Sequence, residues 1–201
     1  MKKNGWAGAL VLAMWTGTAC AQMYQGNVEH QEIAGSWSSF AVQHGEDIRF
    51  RAYSANNTIG IVFDVLPMAC ASALSFTVPY AKPSEQDSGS SQLGGAVRID
   101  DGPIHSVTFT VGASAMGDLT YSIMLNVTPE YGQIIKEMDV GQNVRVRFDL
   151  PSPSTSIVQA FALNGFSVAS NRAFVWCKAT VNAFQKNRKQ KPPKASSPSV
   201  L

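Results

Sequence analysis

Apolar and polar residues alternate with a period of two along much of this chain, which is the signature of strands buried on one face. Over 143–150, Val144, Val146, Phe148 and Leu150 fall on one side and Arg145, Arg147 and Asp149 on the other. Ile48, Phe50 and Ala52 stand in the same way against Arg49, Arg51 and Tyr53. A polar turn follows, and then Ile59, Ile61, Phe63 and Val65 line a return strand, so 48–65 is predicted to be a hairpin. Trp37, Ser39 and Ala41 alternate with Ser38, Phe40 and Val42 just ahead of it. Further strands are predicted at 73–78, 96–100 and 104–112, at a segment placing Tyr121, Ile123, Leu125 and Val127 on one face, and at 158–163.

The period lengthens to that of a helix twice. Thr128-Pro129-Glu130 combines a capping hydroxyl, a first-turn proline and an acid at the positive end of the dipole, predicting a helix over 129–138. Asn164-Gly165 is a turn dipeptide tolerant of left-handed backbone, and Ser167 is placed to cap a second helix over 167–184. Its apolar stripe runs through Ala169, Ala173, Trp176 or Cys177, Thr180 and Phe184. The sum is a mostly β fold: one antiparallel domain over 36–184, sandwich-like or a strongly curved sheet, with a short helix and a C-terminal helix packed at one side.

The ends change the picture. Lys2 and Lys3 followed by an apolar run over 6–15, with Ala19-Cys20-Ala21 as the small-residue site, read as a secretory signal peptide over 1–21, cleaved after Ala21. The apolar run is too short to span a bilayer, and no later segment is apolar enough, so no transmembrane segment is expected in the mature chain. Lipidation of Cys20 wants an aliphatic residue three positions earlier, where Gly17 stands. The expected location is therefore periplasmic or secreted. Residues 22–35 are polar and without period, an exposed lead-in; 82–95 read as a surface loop. The whole chain carries a formal charge of +2, which falls to 0 without Lys2 and Lys3. That zero is uneven: 185–201 holds Lys186, Arg188, Lys189, Lys191 and Lys194 with no acid, a basic tail expected to be disordered. Such a tail suits an anionic surface, whereas the acidic balance of the rest disfavours nucleic acid.

Candidate chemistry is sparse. Cys70 and Cys177 are an even pair in an exported chain, so a disulfide between them is expected. Two cysteines with His30, His44 and His105 scattered make no tetrahedral metal set, and no cofactor is expected. Ser114, in Gly112-Ala113-Ser114-Ala115-Met116-Gly117, misses nucleophile-elbow spacing by one residue. The acids Glu46-Asp47 and Asp100-Asp101 suit solvated turns. Trp37, Phe161, Phe166, Phe174, Trp176 and Phe184 are read as core in a chain that is 45% hydrophobic. The one testable binding surface is Arg49, Arg51, Arg145 and Arg147: each pair has a spacing of two, and adjacency of their strands would give a stripe for an anionic partner.

The order of pieces carries a resemblance. Val97-Arg98-Ile99-Asp100-Asp101-Gly102, Ser106-Val107-Thr108-Phe109, Ile134-Ile135-Lys136-Glu137-Met138-Asp139-Val140-Gly141, Val144-Arg145-Val146-Arg147-Phe148 and Phe161-Ala162-Leu163-Asn164-Gly165-Phe166 follow one another across 95–178. This layout resembles the invasion-associated locus B family of exported bacterial proteins. The resemblance implies a small β-rich periplasmic or surface domain without cofactor, and a role in host-cell interaction. The expected function is thus a non-enzymatic envelope or surface protein that binds a partner, an envelope or host protein. The alternative is a periplasmic inhibitor or immunity-type protein that blocks a hydrolase, with loop 82–95 as the plug.

Overall fold

Burial follows the two-residue period most closely in the strand Asn143–Asp149, where Val144, Val146 and Phe148 are buried and Arg145 and Arg147 exposed. This is β9 of ten strands in a computed structural model that describes residues 27–44, 47–56, 59–79, 90–113, 120–150 and 156–190. The others are β1 (Asn27–Ala34), β2 (Trp37–His44), β3 (Asp47–Ala55), β4 (Gly60–Leu66), β5 (Ala71–Pro79), β6 (Ser91–Ile99), β7 (Ile104–Ala113), β8 (Thr120–Leu125) and β10 (Ser156–Ala162). Two helices, α1 (Tyr131–Val140) and α2 (Phe166–Gln190), complete the fold. All ten strands join one sheet in the order β1-β2-β3-β4-β5-β8-β7-β6-β9-β10, and every neighbouring pair is antiparallel.

That sheet is curled. β5 and β10 are five steps apart, which in a flat sheet would be about 24 Å. Yet the rings of Phe76 on β5 and Phe161 on β10 lie 5.9 Å apart, and Phe76 also meets Phe109 on β7 and Phe148 on β9. These four phenylalanines belong to the main core, which continues through Val97, Leu125, Val144 and Val146. Both helices sit on this concave face. Ile134 and Met138 of α1 and Phe166, Ala169, Ala173 and Cys177 of α2 are buried in the same core. The stripe expected on α2 is present as far as Cys177; Phe184, where the helix has run past the sheet, is 65% exposed.

The turn at Asn164-Gly165 closes the fold. Gly165 has φ +98°, and a Cβ there would overlap the Ala34 carbonyl in the β1–β2 turn. The two turns are further joined by Ser36 N–H donating to the Asn164 carbonyl at 2.9 Å and Trp37 Nε1–H donating to the Ala162 carbonyl at 2.8 Å. Trp37 is stacked edge-on against Phe166 with ring centres 4.8 Å apart. Cys70 and Cys177 are joined as expected, their Cα atoms 5.8 Å apart, so the α2 core face is tied to the β4–β5 turn.

Several boundaries differ from the pattern-based expectation, each for a local reason. The lead-in over 22–35 contains β1, an edge strand whose register slips between Glu29 and Glu32 and whose His30 has φ +57°; the irregularity erases any period of two. β6 begins at Ser91, inside the expected loop 82–95, because Gly95 lies against the Arg147 carbonyl and the Phe109 ring, where a side chain would not fit. α1 starts two residues later than 129–138: Tyr131 N–H bonds to the backbone carbonyl of Thr128, and the Thr128 hydroxyl, though buried, caps nothing. α2 runs to Gln190, six residues beyond the expected end, as Lys, Arg and Gln are good helix formers. The first residues of the expected tail are therefore helical; 191–201 lies outside the described residues, as does the expected signal peptide over 1–21. Among the described residues no helix is long and apolar enough to cross a membrane.

Candidate functional site

β3 is third in the sheet and β9 is ninth, so the two arginine pairs do not converge. The first pair is structural. The register places Asp64 of β4 directly opposite Arg51, and the guanidinium grips the carboxylate with two bonds, Nε to Oδ1 at 2.6 Å and Nη2 to Oδ2 at 2.7 Å. Both side chains are buried, at 5% and 7% exposure. Arg49 lies 3.7 Å from the same carboxylate. The expectation that Arg51 and Tyr53 face solvent is thus corrected. Tyr53 is buried with Phe40, Val42 and Val62 in a second cluster, on the face of β2–β4 opposite the main core, with Val28 packed against it.

Arg145 and Arg147 do reach solvent, and β6 supplies them a third member that pattern reading passed over. Arg98 stands directly opposite Arg145 in the β6–β9 register. The signal was there, since Arg98 alternates with Val97 and Ile99, but the adjacency of β6 and β9 needs the sheet order. Like charges directly opposite repel, and the neighbouring turn compensates. Arg145 Nη2 donates to the Asp100 carbonyl at 2.7 Å and to Asp101 Oδ1 at 3.1 Å. Arg98 donates to the carbonyls of Gly102 and Asp101 and lies 3.7 Å from Asp101 Oδ1. Arg147 is forked onto Asp149 at 2.9 and 3.3 Å. The three arginine side chains keep 36 to 48% exposure. Around this row lie exposed Ser106 and Thr108 of β7 and Val158 and Ala160 of β10, with Arg147 opposite Val158 and Arg145 opposite Ala160. Both helices pack on the other face, through side chains that alternate with these arginines. This face is an exposed surface that the topology builds from sequence-distant strands.

The remaining candidates serve the fold. Asp100, with φ +47°, accepts the N–H groups of Gln142 and Asn143 at 3.0 and 2.8 Å, so its carboxylate starts β9 instead of standing in solvent. Glu46 and Ser114 lie outside the described residues. His105 Nε2 is 2.9 Å from Glu137 Oε2, tying β7 to α1. Gln133, one turn back on α1, donates to Glu137 Oε1 at 2.8 Å; this bond and the one from His105 hold the Glu137 carboxyl below the usual range. Burial pushes the Tyr131 phenol up, against the bond its hydroxyl makes to Ser72. A cleft of about 550 Å³ between the end of α1 and the start of α2 is lined by Asp139, Gln142, Asn143, Asn164, Ser167 and Val168. Among the described residues no three His, Cys, Asp or Glu side chains are grouped as metal ligands. No family model, no curated protein and no solved structure matches the chain.

Proposed function

We propose that this is an exported, non-enzymatic protein of the bacterial envelope or surface that binds a partner through the outward face of β6, β7, β9 and β10. The supporting observation is the row Arg98, Arg145 and Arg147, half exposed on a sheet face that neither helix covers. Their fork geometry suits carboxylate-bearing partners, which would compete with Asp101 and Asp149 for the same donors. The Cys70–Cys177 tie suits an oxidising compartment, and the resemblance to the invasion-associated locus B family supports an envelope or host protein as partner. Amino-terminal sequencing of exported material should begin at Gln22.

The experiment is retention of envelope-extract proteins on the immobilised oxidised protein, with wild type compared with an Arg98→Gln, Arg145→Gln, Arg147→Gln variant. Wild type should hold a partner in a salt-dependent way, because exposed charge pairs are screened over about 8 Å at physiological ionic strength. The variant should release it while folding as wild type, since all three side chains point away from the core. Unchanged retention at low salt rejects the face. A single hydrolase held stoichiometrically, and inhibited, would assign the protein to the inhibitor class instead.

A further inference from the structure

The two edges of the sheet are built differently. β1 is blunted as exposed edges usually are: Glu29, His30 and Glu32 lie along it, and its register is broken between Glu29 and Glu32. β10, Ser-Ile-Val-Gln-Ala-Phe-Ala, has no charge, no proline and no break in register from Ser156 to Ala162. Ile157 is 41% and Val158 60% exposed. The parity of its backbone groups is set by the neighbouring bonds. Leu163 N–H bonds inward to Gln142, so odd-numbered residues face β9. Even-numbered residues face out, and two of their carbonyls are already used. Ala162 accepts from Trp37 and Ser36, and the Ala160 carbonyl lies 3.4 Å from the Asn56 amide. Among the described residues, the outward N–H and C=O groups of Ser156 and Val158 have no such cover.

We infer that this open stretch of β10 pairs with β10 of a second copy, in an antiparallel seam about a two-fold axis at Ile157. The parity allows it. Ser156 then faces Val158 of the second copy and Val158 faces its Ser156, each pair exchanging two backbone bonds, with Ile157 against Ile157 in the closer, non-bonded position between them. Antiparallel pairing sends the covered half of each strand, 160–162, to opposite ends of the seam, so Trp37 and Asn56 stand outside the four bonds made by Ser156 and Val158. The charges favour the same occupant. A foreign strand is selected by side-chain pockets and complementary charge, and β10 offers no charge. A second copy meets no like charge along the seam. The nearest charged groups on the adjacent strand, Arg147 and Asp149, are bonded to each other. This inference is independent of the arginine row.

The test uses the full oxidised protein in sedimentation velocity and light scattering from about 1 to 100 µM, a range that brackets micromolar affinities. Val158→Pro removes an outward N–H and leaves the β9 ladder whole, a substitution edge strands accept. Val158→Lys places two cations at the seam. Wild type should show a concentration-dependent dimer, and each variant should raise the dissociation constant by about tenfold or more, as two backbone bonds are lost or like charges meet. Ile157→Cys should give a covalent dimer on oxidation, because opposed non-bonded positions lie about 4.5 Å apart, within disulfide reach. Val168→Cys, on the exposed side of α2, should not. A wild type that stays monomeric throughout the range overturns the inference. A dimer of unchanged affinity in both Val158 variants does so too, even if the cysteine cross-link forms. A monomeric wild type that loses an extract partner on Val158→Pro, but keeps it in the Arg98→Gln, Arg145→Gln, Arg147→Gln variant, would assign the edge to a foreign strand.

Discussion

The Arg51–Asp64 pair makes the sharpest demand on the energetics of this fold. Its side chains are 5% and 7% exposed and share two short bonds, so each charge has exchanged water for the other. Replacing Arg51 by Met strands a buried carboxylate, partly relieved by Arg49 at 3.7 Å, so the loss should fall at the low end of the usual range, about 3 kcal/mol. Replacing Asp64 by Leu removes the carboxylate that takes both short bonds from Arg51, and the loss should fall in the same range, about 3 to 5 kcal/mol. The double variant removes both charges and fills the volume with apolar atoms. It should lie within about 1 kcal/mol of wild type, or above it. Urea unfolding of the oxidised protein, followed by tryptophan fluorescence, reports all three, because Trp37 is 1% exposed in the folded state. The diagnostic is failure to add: two large losses that largely cancel when combined. Single losses below about 1 kcal/mol, or a double variant equal to their sum, would refute the view that desolvation dominates this site.

Two further outcomes follow from the geometry. Cys70→Ser with Cys177→Ser frees a loop of sequence separation 107 and should lower stability by up to about 4.7 kcal/mol; an intact mass unchanged by reductant would deny the bond outright. Glu137 has its folded-state pKa depressed by Gln133 and then by His105, so the stability it contributes is present above the ordinary glutamate range and is lost as pH falls through the depressed value. Urea midpoints should therefore drop with acid below about pH 4.3 more steeply in wild type than in Glu137→Gln, and parallel curves would contradict this assignment.

Local chemistry was legible and lateral arrangement was not. Val144, Val146 and Phe148 could be assigned to the core from alternation alone, and the 48–65 hairpin appears as β3 and β4 with antiparallel register. The cysteine pair and the left-handed Gly165 turn were equally accessible, because both rest on what a residue type can do. Arg51 was misplaced for the opposite reason. A charged residue at an outward position reads as solvated unless its counter-ion is known, and Asp64 becomes that counter-ion only through the β3–β4 register. Arg98 was missed because β6 and β9, joined in the sheet, are separated in sequence by β7, β8 and α1. Glycine made a further error, since Gly94-Gly95 suggests a loop by composition while Gly95 is a strand position crowded by backbone and ring.

The contact between the 34–37 turn and the 162–166 turn bears on the order in which the molecule can be made. A chain that appears amino end first exposes β1 to β4 long before Phe166 exists. Until then Trp37 lacks its indole acceptor, Phe63 its edge-on ring and Cys70 its sulfur partner. The early strands can pair with one another, but their concave face stays wet until the 162–177 segment arrives. Such a chain remains incomplete, and hence threadable, for most of its synthesis. Its final closure waits on α2, which follows all ten strands along the chain.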